Sequence, residues 1–208
     1  MNAGLSNLDV LKRHLLAGSL AGESRFDGVI LAIGLGVAGL FDVFCNRKLA
    51  YLAGAEVVFT GDRSHYVLPR YPLVSVASVT TRFSDADAWD AATGEPWSTH
   101  PAAGVIRFAG VLGTELLQVR VVWTGGYWFE TNEPEDAGFP ALGPVGAVYL
   151  PDDLRAAFLL QCEAVWGARD RLGTGLLSGE GTASGLGKLE LLPMVKEMLR
   201  GHVRYQLS

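Results

Sequence analysis

Two kinds of hydrophobic periodicity divide the chain into helical ends and a strand-rich middle. Near the N-terminus, Leu8, Leu11 and Leu15 recur at helical spacing, and "LPDDLRAAFLLQCEAVWGARDRL" and "LELLPMVKEMLRGHVRYQL" repeat that spacing near the C-terminus. Between them, the stretch from Tyr71 to Phe83, "YPLVSVASVTTRF", alternates with the period of two that is typical of a strand. The pattern predicts an α+β fold: a small helical bundle with an inserted antiparallel β subdomain.

The pattern near the N-terminus predicts two helices, each beginning at an N-cap signature. Ser6 with Asp9, and Ser24 with Asp27, match the N-cap signature, and the second helix is expected to end near Asn46. Three glycines between positions 34 and 39 each weaken this helix by about 1 kcal/mol relative to alanine, and they predict the close approach of another backbone. The apolar face of the second helix is expected to comprise Ile30, Ile33, Val37, Leu40, Phe41 and Phe44.

The middle of the chain predicts several short strands. "EVVFTGDRSHYVL" indicates two strands joined by a turn near Gly61, and "VIRFAG" and "TELLQVRVVWTGGYW" indicate two more. The polar stretch "SDADAWDAATGEPWSTHPAAG" is interpreted as an exposed hairpin loop. This spacing of strands predicts an antiparallel meander rather than βαβ units. In the last strand, one face is predicted to carry Leu117, Val119, Val121 and Trp123.

These patterns predict four sections along the chain. Residues 1–54 carry the N-terminal helices, 55–130 the inserted β subdomain, 131–150 a loop, and 151–208 the C-terminal helices that complete the helical domain. A glycine-rich stretch, Gly173 to Gly187, is predicted to be a flexible loop before the last helix, which is expected to begin near Pro193.

Composition narrows the class of protein. The chain has 208 residues, of which 49% are hydrophobic, enough for a sizeable core, and its formal net charge of −5 argues against a surface that grips nucleic-acid phosphates. Cys45 and Cys162 lie far apart in apolar patterns and are interpreted as buried thiols in a reducing compartment. We expect no secretory signal, and the apolar run from Val29 to Phe41 falls short of the about 20 residues of a membrane span.

Candidate chemistry in the sequence is sparse. "GLGVAG", Gly34 to Gly39, matches the dinucleotide fingerprint, so a nucleotide-binding enzyme stays an alternative, although no second α/β crossover follows. "DADAWD" lacks the glycine and the glutamate of a calcium loop. No two of the four histidines, His14, His65, His100 and His202, have metal-ligand spacing, and no nucleophile turn is present. We therefore predict no catalytic residues, no metal and no cofactor, and that the protein is not an enzyme.

Three segments, in this order, carry a resemblance to a known family. They are "DGVILAIGLGVAGLFDVFCNRKL", "YVLPRYPLVSVASVT", and "VRVVWTGGYW" followed after a loop by "LPDDLRAAFLLQCEAVWGARDR". From about Leu8 to Arg171 the chain resembles the head–tail connector (adaptor or head-completion) proteins of tailed bacteriophages and gene transfer agents. It departs from them in its glycine-rich second helix and in its long loop from Thr131 to Val148.

The resemblance implies a structural role without catalytic residues. It implies a ring, usually dodecameric, beneath the portal in the neck of a virion, made in the cytoplasm of the host bacterium. The implied partners are the portal protein, a stopper or tail-completion protein, and further copies of the chain, with no membrane. DNA is expected to pass through without sequence-specific binding, and an acidic wall suits such a passage. Another neck or tail protein, such as a stopper or tail terminator, is a further alternative.

The last helix is the predicted contact with the portal. A loosely tethered amphipathic helix suits docking in a partner's groove, and connectors of the family that the chain resembles are thought to grip the portal with their C-terminal part. The competing interpretation is that the helix completes the core of its own subunit. The predicted docking residues are Leu191, Leu192, Val195, Met198, Leu199, Val203 and Tyr205.

Overall fold

The computed structural model describes residues 3–16, 22–92, 97–129, 143–174 and 190–204, with side chains described as far as residue 168 in the fourth range. The chain divides into two compact units. The helical unit comprises Met1–Asn46, Phe129–Leu142 and Leu150–Ser208, and the β unit comprises Arg47–Trp128 and Gly143–Tyr149. The fold is α+β, as the hydrophobic pattern predicts. The β unit begins at Arg47 rather than at residue 55, and it includes a short segment from the predicted loop.

Four helices form the described part of the helical unit: α1 (Leu8–Leu15), α2 (Asp27–Phe44), α3 (Asp152–Thr174) and α4 (Pro193–Leu199). Both predicted N-caps are wrong. Asn7, not Ser6, caps α1, since its side chain accepts the backbone N–H of Asp9 at 2.9 Å. A 3-10 turn at Ser24–Phe26 precedes α2, which has no side-chain cap.

Close backbone contact between α2 and the segment before α1 explains one of the predicted glycines. A Cβ atom at Gly34 would overlap the carbonyl oxygen of Ala3, and one at Gly4 would lie 2.8 Å from the Cβ of Ala38. Gly4 also has φ of +93°, a conformation that favours glycine. The prediction of close backbone approach is therefore confirmed at Gly34. At Gly39, by contrast, a Cβ would meet nothing within 4 Å.

The core of the helical unit includes contacts between α2 and its neighbours. The rings of Phe41 on α2 and Phe158 on α3 pack edge to face with centroids 6.1 Å apart. A buried Lys12 on α1 forms an ion pair with Asp27 at 2.6 Å. Cys45 and Cys162 are buried free thiols, as predicted. The buried side of α2 consists of Ile30, Gly34, Val37 and Phe41, whereas Ile33, Leu40 and Phe44 of the predicted face are only half-buried.

Nine strands are present among the described residues, all but the last of them within 52–128: β1 (Leu52–Thr60), β2 (His65–Val67), β3 (Leu73–Arg82), β4 (Asp90–Ala91), β5 (Trp97–His100), β6 (Val105–Phe108), β7 (Gln118–Gly125), β8 (Tyr127–Trp128) and β9 (Val148–Tyr149). β4 and β5 lie in the stretch that was predicted to be a single exposed loop. A 3-10 turn at Pro101–Ala103 connects β5 to β6.

The strands do not form the predicted meander. One sheet has the order β1-β7-β3-β4, a second has the order β2-β6-β5, and β8 pairs with β9 in parallel. β1 and β2 therefore lie in different sheets instead of forming a hairpin. β7 lies between β1 and β3 in its sheet, and its inward side chains Val119, Val121 and Trp123 are almost completely buried.

The two faces of the four-stranded sheet differ in polarity. The inward face carries the buried side chains of Leu117, Val119, Val121 and Trp123 on and just before β7, of Ala55 on β1 and of Val79 on β3. The outward face carries Val58, Arg120 and Thr80 side by side on β1, β7 and β3. Alternation in the sequence thus correctly separated core from surface on β7.

The first residue of the β unit, Arg47, is a buried arginine. The guanidinium of Arg47 stacks on the rings of Tyr71 and Tyr127, at 4.2 and 5.3 Å from their centroids. It also donates to the Tyr71 carbonyl at 3.4 Å and to the Tyr127 hydroxyl at 3.3 Å. These contacts join the start of the unit to the beginning of β3 and to β8.

"GLGVAG" lies wholly inside α2, so the prediction that this segment is helical is confirmed. In a dinucleotide site, such glycines form a turn between a strand and a helix, where free N–H groups meet the pyrophosphate. Here the residues lie in the middle of a helix, and the next element is the antiparallel strand β1. The geometry gives the nucleotide-binding alternative no support.

We expect an introduced carboxylate to destabilise the protein on the inward face of the sheet and to be tolerated on the outward face. Val121→Asp buries an unpaired charge and should lower the free energy of unfolding by several kcal/mol. Val58→Asp, on the outward face opposite Arg120, should change it by about 1 kcal/mol or less. Thermal melts followed by circular dichroism provide the measurement. Equal losses for the two variants would contradict the assignment of the faces.

Candidate interaction surfaces

The C-terminal segment lies against its own helical unit. Among the predicted docking residues, Leu191, Val195 and Leu199 are buried. Leu192, Met198 and Val203 are half-buried, and Tyr205 lies outside the described residues. Because three of the apolar side chains are already covered, these three contribute to the core of the subunit in this conformation.

A buried glutamine fixes the chain just before α4. The Gln161 side chain on α3 is 2% exposed; its amide nitrogen donates to the Glu190 carbonyl at 3.0 Å, and its amide oxygen accepts the Leu192 N–H at 2.9 Å. Without the Gln161 side chain, both backbone groups would lose this hydrogen-bond partner. The hydrophobic pattern did not predict this role for Gln161, although a glutamine inside the apolar run "AAFLLQCEAV" was a possible signal.

Two further contacts hold the end of the segment. The Arg204 N–H donates to the Cys45 carbonyl at 2.9 Å, and the His202 ring nitrogen Nε2 lies 2.7 Å from the Asp153 carboxylate. Partial burial tends to raise the pKa of Asp153, but the hydrogen bonds from His202 and from the Leu154 N–H outweigh it, so the pKa is lowered. A lowered carboxylate pKa contributes stability above the unfolded-state pKa of about 3.9, and this contribution is lost as the pH falls through the folded-state pKa.

The side of α2 opposite the core is exposed and apolar. Val29 is 49% exposed, Leu35 52% and Val43 79%, and Ala32, Gly36 and Gly39 are also exposed. Within the described ranges, the segment Ser24–Phe44 is the one helical stretch long and apolar enough to cross a membrane by length and composition. Its other side packs on α1 and α3 through Gly34 and Phe41. The expectation that this apolar run falls short of a membrane span is therefore wrong by length and composition, and only one side of α2 is buried.

The outward face of the four-stranded sheet carries a stack of three side chains. The Arg82 and Arg120 guanidinium groups lie 4.4 and 4.5 Å from the centroid of Trp89. Arg82 also pairs with Asp85 and donates to the Gln118 side chain at 2.9 Å, and Arg120 donates to the Thr80 hydroxyl at 3.1 Å. Asp85 offsets the charge of Arg82, whereas Arg120, which has a ring and a hydroxyl as partners here, keeps its positive charge.

The histidines and thiols are dispersed. His14 lies 3.6 Å from Glu163, His202 pairs with Asp153, and His65 and His100 are exposed on separate strands. Within the described ranges, no three His, Cys, Asp or Glu side chains group closely enough to hold a metal ion. Burial raises the pKa of the Cys162 thiol to about 12, which keeps it protonated and unreactive at neutral pH.

The protein is therefore an α+β protein with three distinctive surfaces. These are the exposed side of α2, the outward face of the four-stranded sheet and the C-terminal segment. Three solved structures that have this fold come from gene transfer agent particles. A chain of the neck of an empty particle, computed with C6 symmetry, matches at a TM-score of 0.63 and 16% identity, over 99% of this chain and 93% of that one.

The other two matches extend over the same length. A chain of the virion of a native gene transfer agent particle has a TM-score of 0.57 and 15% identity, covering 100% of this chain and 94% of that one. A chain of the native neck, computed with C12 symmetry, has a TM-score of 0.58 and 15% identity, covering 99% and 92%. No family model matches the sequence, and no curated protein matches it. The likeness is therefore one of fold, and it extends over both chains almost completely.

We expect Gln161→Leu to loosen the C-terminal segment. The change leaves the Glu190 carbonyl and the Leu192 N–H without their partner, which should lower the free energy of unfolding by about 1–3 kcal/mol. Hydrogen exchange within residues 190–204 should become faster. Ala156→Leu, on the exposed side of the same helix, is the matched control and should change stability by about 0.5 kcal/mol or less. Unchanged exchange in Gln161→Leu would contradict the anchoring role.

Proposed function

We propose that this chain is a structural adaptor in the neck of a tailed phage or a related gene transfer agent, where copies form a ring beneath the portal. The single observation that carries the proposal is the match, over nearly the full length of both chains, to chains in gene transfer agent necks. A partial match would be compatible with a shared subdomain in unrelated proteins. A match of both units, in order, supports a shared assembly role.

The twelvefold and sixfold symmetries with which those necks were computed support a ring of several copies. A ring of identical chains is a closed heterologous assembly, so each copy needs two different complementary faces. The chain offers several separate exposed surfaces, among them α2 and the outward sheet face. A ring of twelve copies is our proposal for the assembled state.

The charge of the chain supports the role of a DNA conduit. A formal net charge of −5 does not favour retention of phosphates, and the two stacked arginines on the sheet are engaged with Trp89 and with polar neighbours. In this proposal DNA passes through the ring without sequence-specific binding, and the chain is not an enzyme. Its partners are the portal protein on one side and a stopper or tail-completion protein on the other, within virions assembled in the host cytoplasm.

Docking of the C-terminal segment on the portal is a further part of the proposal. The burial of Leu191, Val195 and Leu199 restricts the available surface in the conformation described here to the half-buried Leu192, Met198 and Val203. The 56% exposed Met194 on the same helix adds an apolar side chain to this surface. A contact with the three buried residues would require the segment to leave α3.

The location of the chain in purified particles tests the adaptor role against the stopper and tail-terminator alternatives. Particles are produced with an affinity tag on the chain, and necks are analysed by electron microscopy, by quantitative mass spectrometry and by cross-linking. We expect about twelve copies in one ring whose cross-links reach the portal protein. Copies that lie beyond a separate ring and cross-link only to tail proteins would contradict the adaptor role in favour of a stopper or terminator.

A further inference from the structure

β1 forms one edge of the four-stranded sheet and is long for an edge strand. It spans nine residues, Leu52–Thr60, and within the described ranges its one strand neighbour is β7. The opposite edge, β4, has two residues, and the edges of the second sheet, β2 and β5, have three and four. Proteins commonly protect a sheet edge by keeping it short or by placing lysine or proline there. β1 contains neither residue, and Glu56 is its one charged side chain.

The hydrogen bonds around β1 show which of its backbone groups are unpaired. Just after the strand, the Gly61 N–H donates to the Leu117 carbonyl at 2.6 Å, in the same register as the β1–β7 pair. Orientation alternates along an antiparallel ladder, so Val57 also faces β7, whereas Glu56 and Val58 direct their N–H and C=O groups to the open side. Among the described residues, these open groups have no hydrogen-bond partner.

The other side of the sheet requires the same alternation. The Val79 carbonyl on β3 accepts the Ala92 N–H at 3.1 Å, so Val79 directs its backbone groups towards β4. Val79 lies opposite Val121 on β7, which therefore directs its own groups towards β1, where it is paired with Val57. Both sides of the sheet thus identify the same open positions on β1.

The open stretch is bounded at both ends. Before it, a register shift between Leu52 and Ala55, with Gly54 at φ of +67°, interrupts the ladder. After it, the Tyr66 hydroxyl donates to the Thr60 carbonyl at 2.8 Å. An added strand would therefore pair with the two open residues between these ends, each of which supplies one N–H and one C=O.

The side chains along this edge indicate the composition of a strand that would pair with it. Val57 and Phe59, on the inward face, pack against the core of the β unit but are only half-buried. Apolar side chains on an added strand would cover them. On the outward face, Glu56 and Val58 are exposed. A like charge opposite Glu56 would be unfavourable, so neutral polar or basic side chains suit the outward positions.

We propose that an extended segment of a neighbouring protein chain, with alternating apolar and polar residues, adds to β1 as a fifth strand and pairs with Glu56 and Val58. Unpaired groups at every second residue match an extended backbone, and strand addition is a common mode of peptide recognition. A helix has no such row of groups to offer, because its backbone is paired internally, and the phosphates of nucleic acid do not suit Glu56. The neighbouring chain lies in the neck, so this inference rests on the adaptor role proposed above.

Hydrogen exchange at single residues, compared between the isolated full chain and purified particles, tests the pairing. In the isolated chain, the N–H groups of Glu56 and Val58 should exchange fast, whereas those of Val57 and Phe59, which face β7, should exchange slowly. In particles, exchange at Glu56 and Val58 should slow by at least about a hundredfold. Fast exchange at these two residues in particles that contain the chain would overturn the inference and leave the adaptor role standing. Particles with no copy of the chain would contradict both.

Two proline substitutions form a matched pair. Val58→Pro removes one open N–H and leaves the β1–β7 ladder intact, and proline is compatible with such a position on an edge strand. His65→Pro makes the same change on the edge strand β2, where the hydrogen bonds of Ser64 and Leu68 to β6 place the His65 N–H on the open side. The number of copies per neck should fall at least about tenfold for Val58→Pro and should be unchanged for His65→Pro.

Wild-type copy number for Val58→Pro, or an equal loss for both variants, would overturn the inference. Circular dichroism melts of the isolated variants check that both chains fold. The exchange measurement uses the natural chain, so it does not depend on the folding of either variant.

Electron microscopy of the assembled neck identifies the occupant of the edge. The expected result is a backbone strand about 4.8 Å from β1, with apolar side chains over Val57 and Phe59. A helix, an irregular loop or nucleic acid against β1, or an edge that is open to solvent, would overturn the inference.

Discussion

The packing of α2 on one side alone is the constraint on which the helical unit depends. Gly34 lets the segment before α1 come into backbone contact with α2, and Phe41 meets Phe158 on α3. These contacts fix which side of the helix is inside. Because the helix is apolar almost throughout, fixing one side inside leaves an apolar side outside. The same residues that stabilise the unit thereby leave an apolar surface exposed.

The C-terminal segment shows how a buried polar residue can determine the position of a chain end. Apolar burial of Val195 and Leu199 favours contact with the helical unit but tolerates small shifts along it, because the hydrophobic effect is non-directional. Gln161 removes that freedom, since its amide satisfies one carbonyl and one N–H at defined positions. The contact of the His202 ring with the Asp153 carboxylate is a second directional contact near the end of the segment. A segment held in this way can serve as part of a core and still present its outer residues to a partner.

The chemistry of the chain agrees with a structural role. Some of its arginines stack on aromatic rings, as Arg47 does on Tyr71 and Tyr127 and Arg82 does on Trp89. Such contacts make rigid surfaces. Among the described residues, the histidines lie apart from one another and the two cysteines are buried. Rigid units with large exposed apolar and polar faces are suited to assembly, in which shape and burial provide the specificity.

The sequence by itself determined the class of the fold and several of its elements. Local periodicity was enough for the helices α2 and α3 and for the inward face of β7, because each of these depends on neighbours within a few residues. The resemblance to neck connectors also came from short segments in order. Only the tertiary structure decided that β7 lies between β1 and β3. It also decided that α2 is covered on one side, and that Gln161 anchors Leu192. These features depend on contacts between residues far apart in the chain, and an apolar pattern states which residues avoid water without stating which surface covers them.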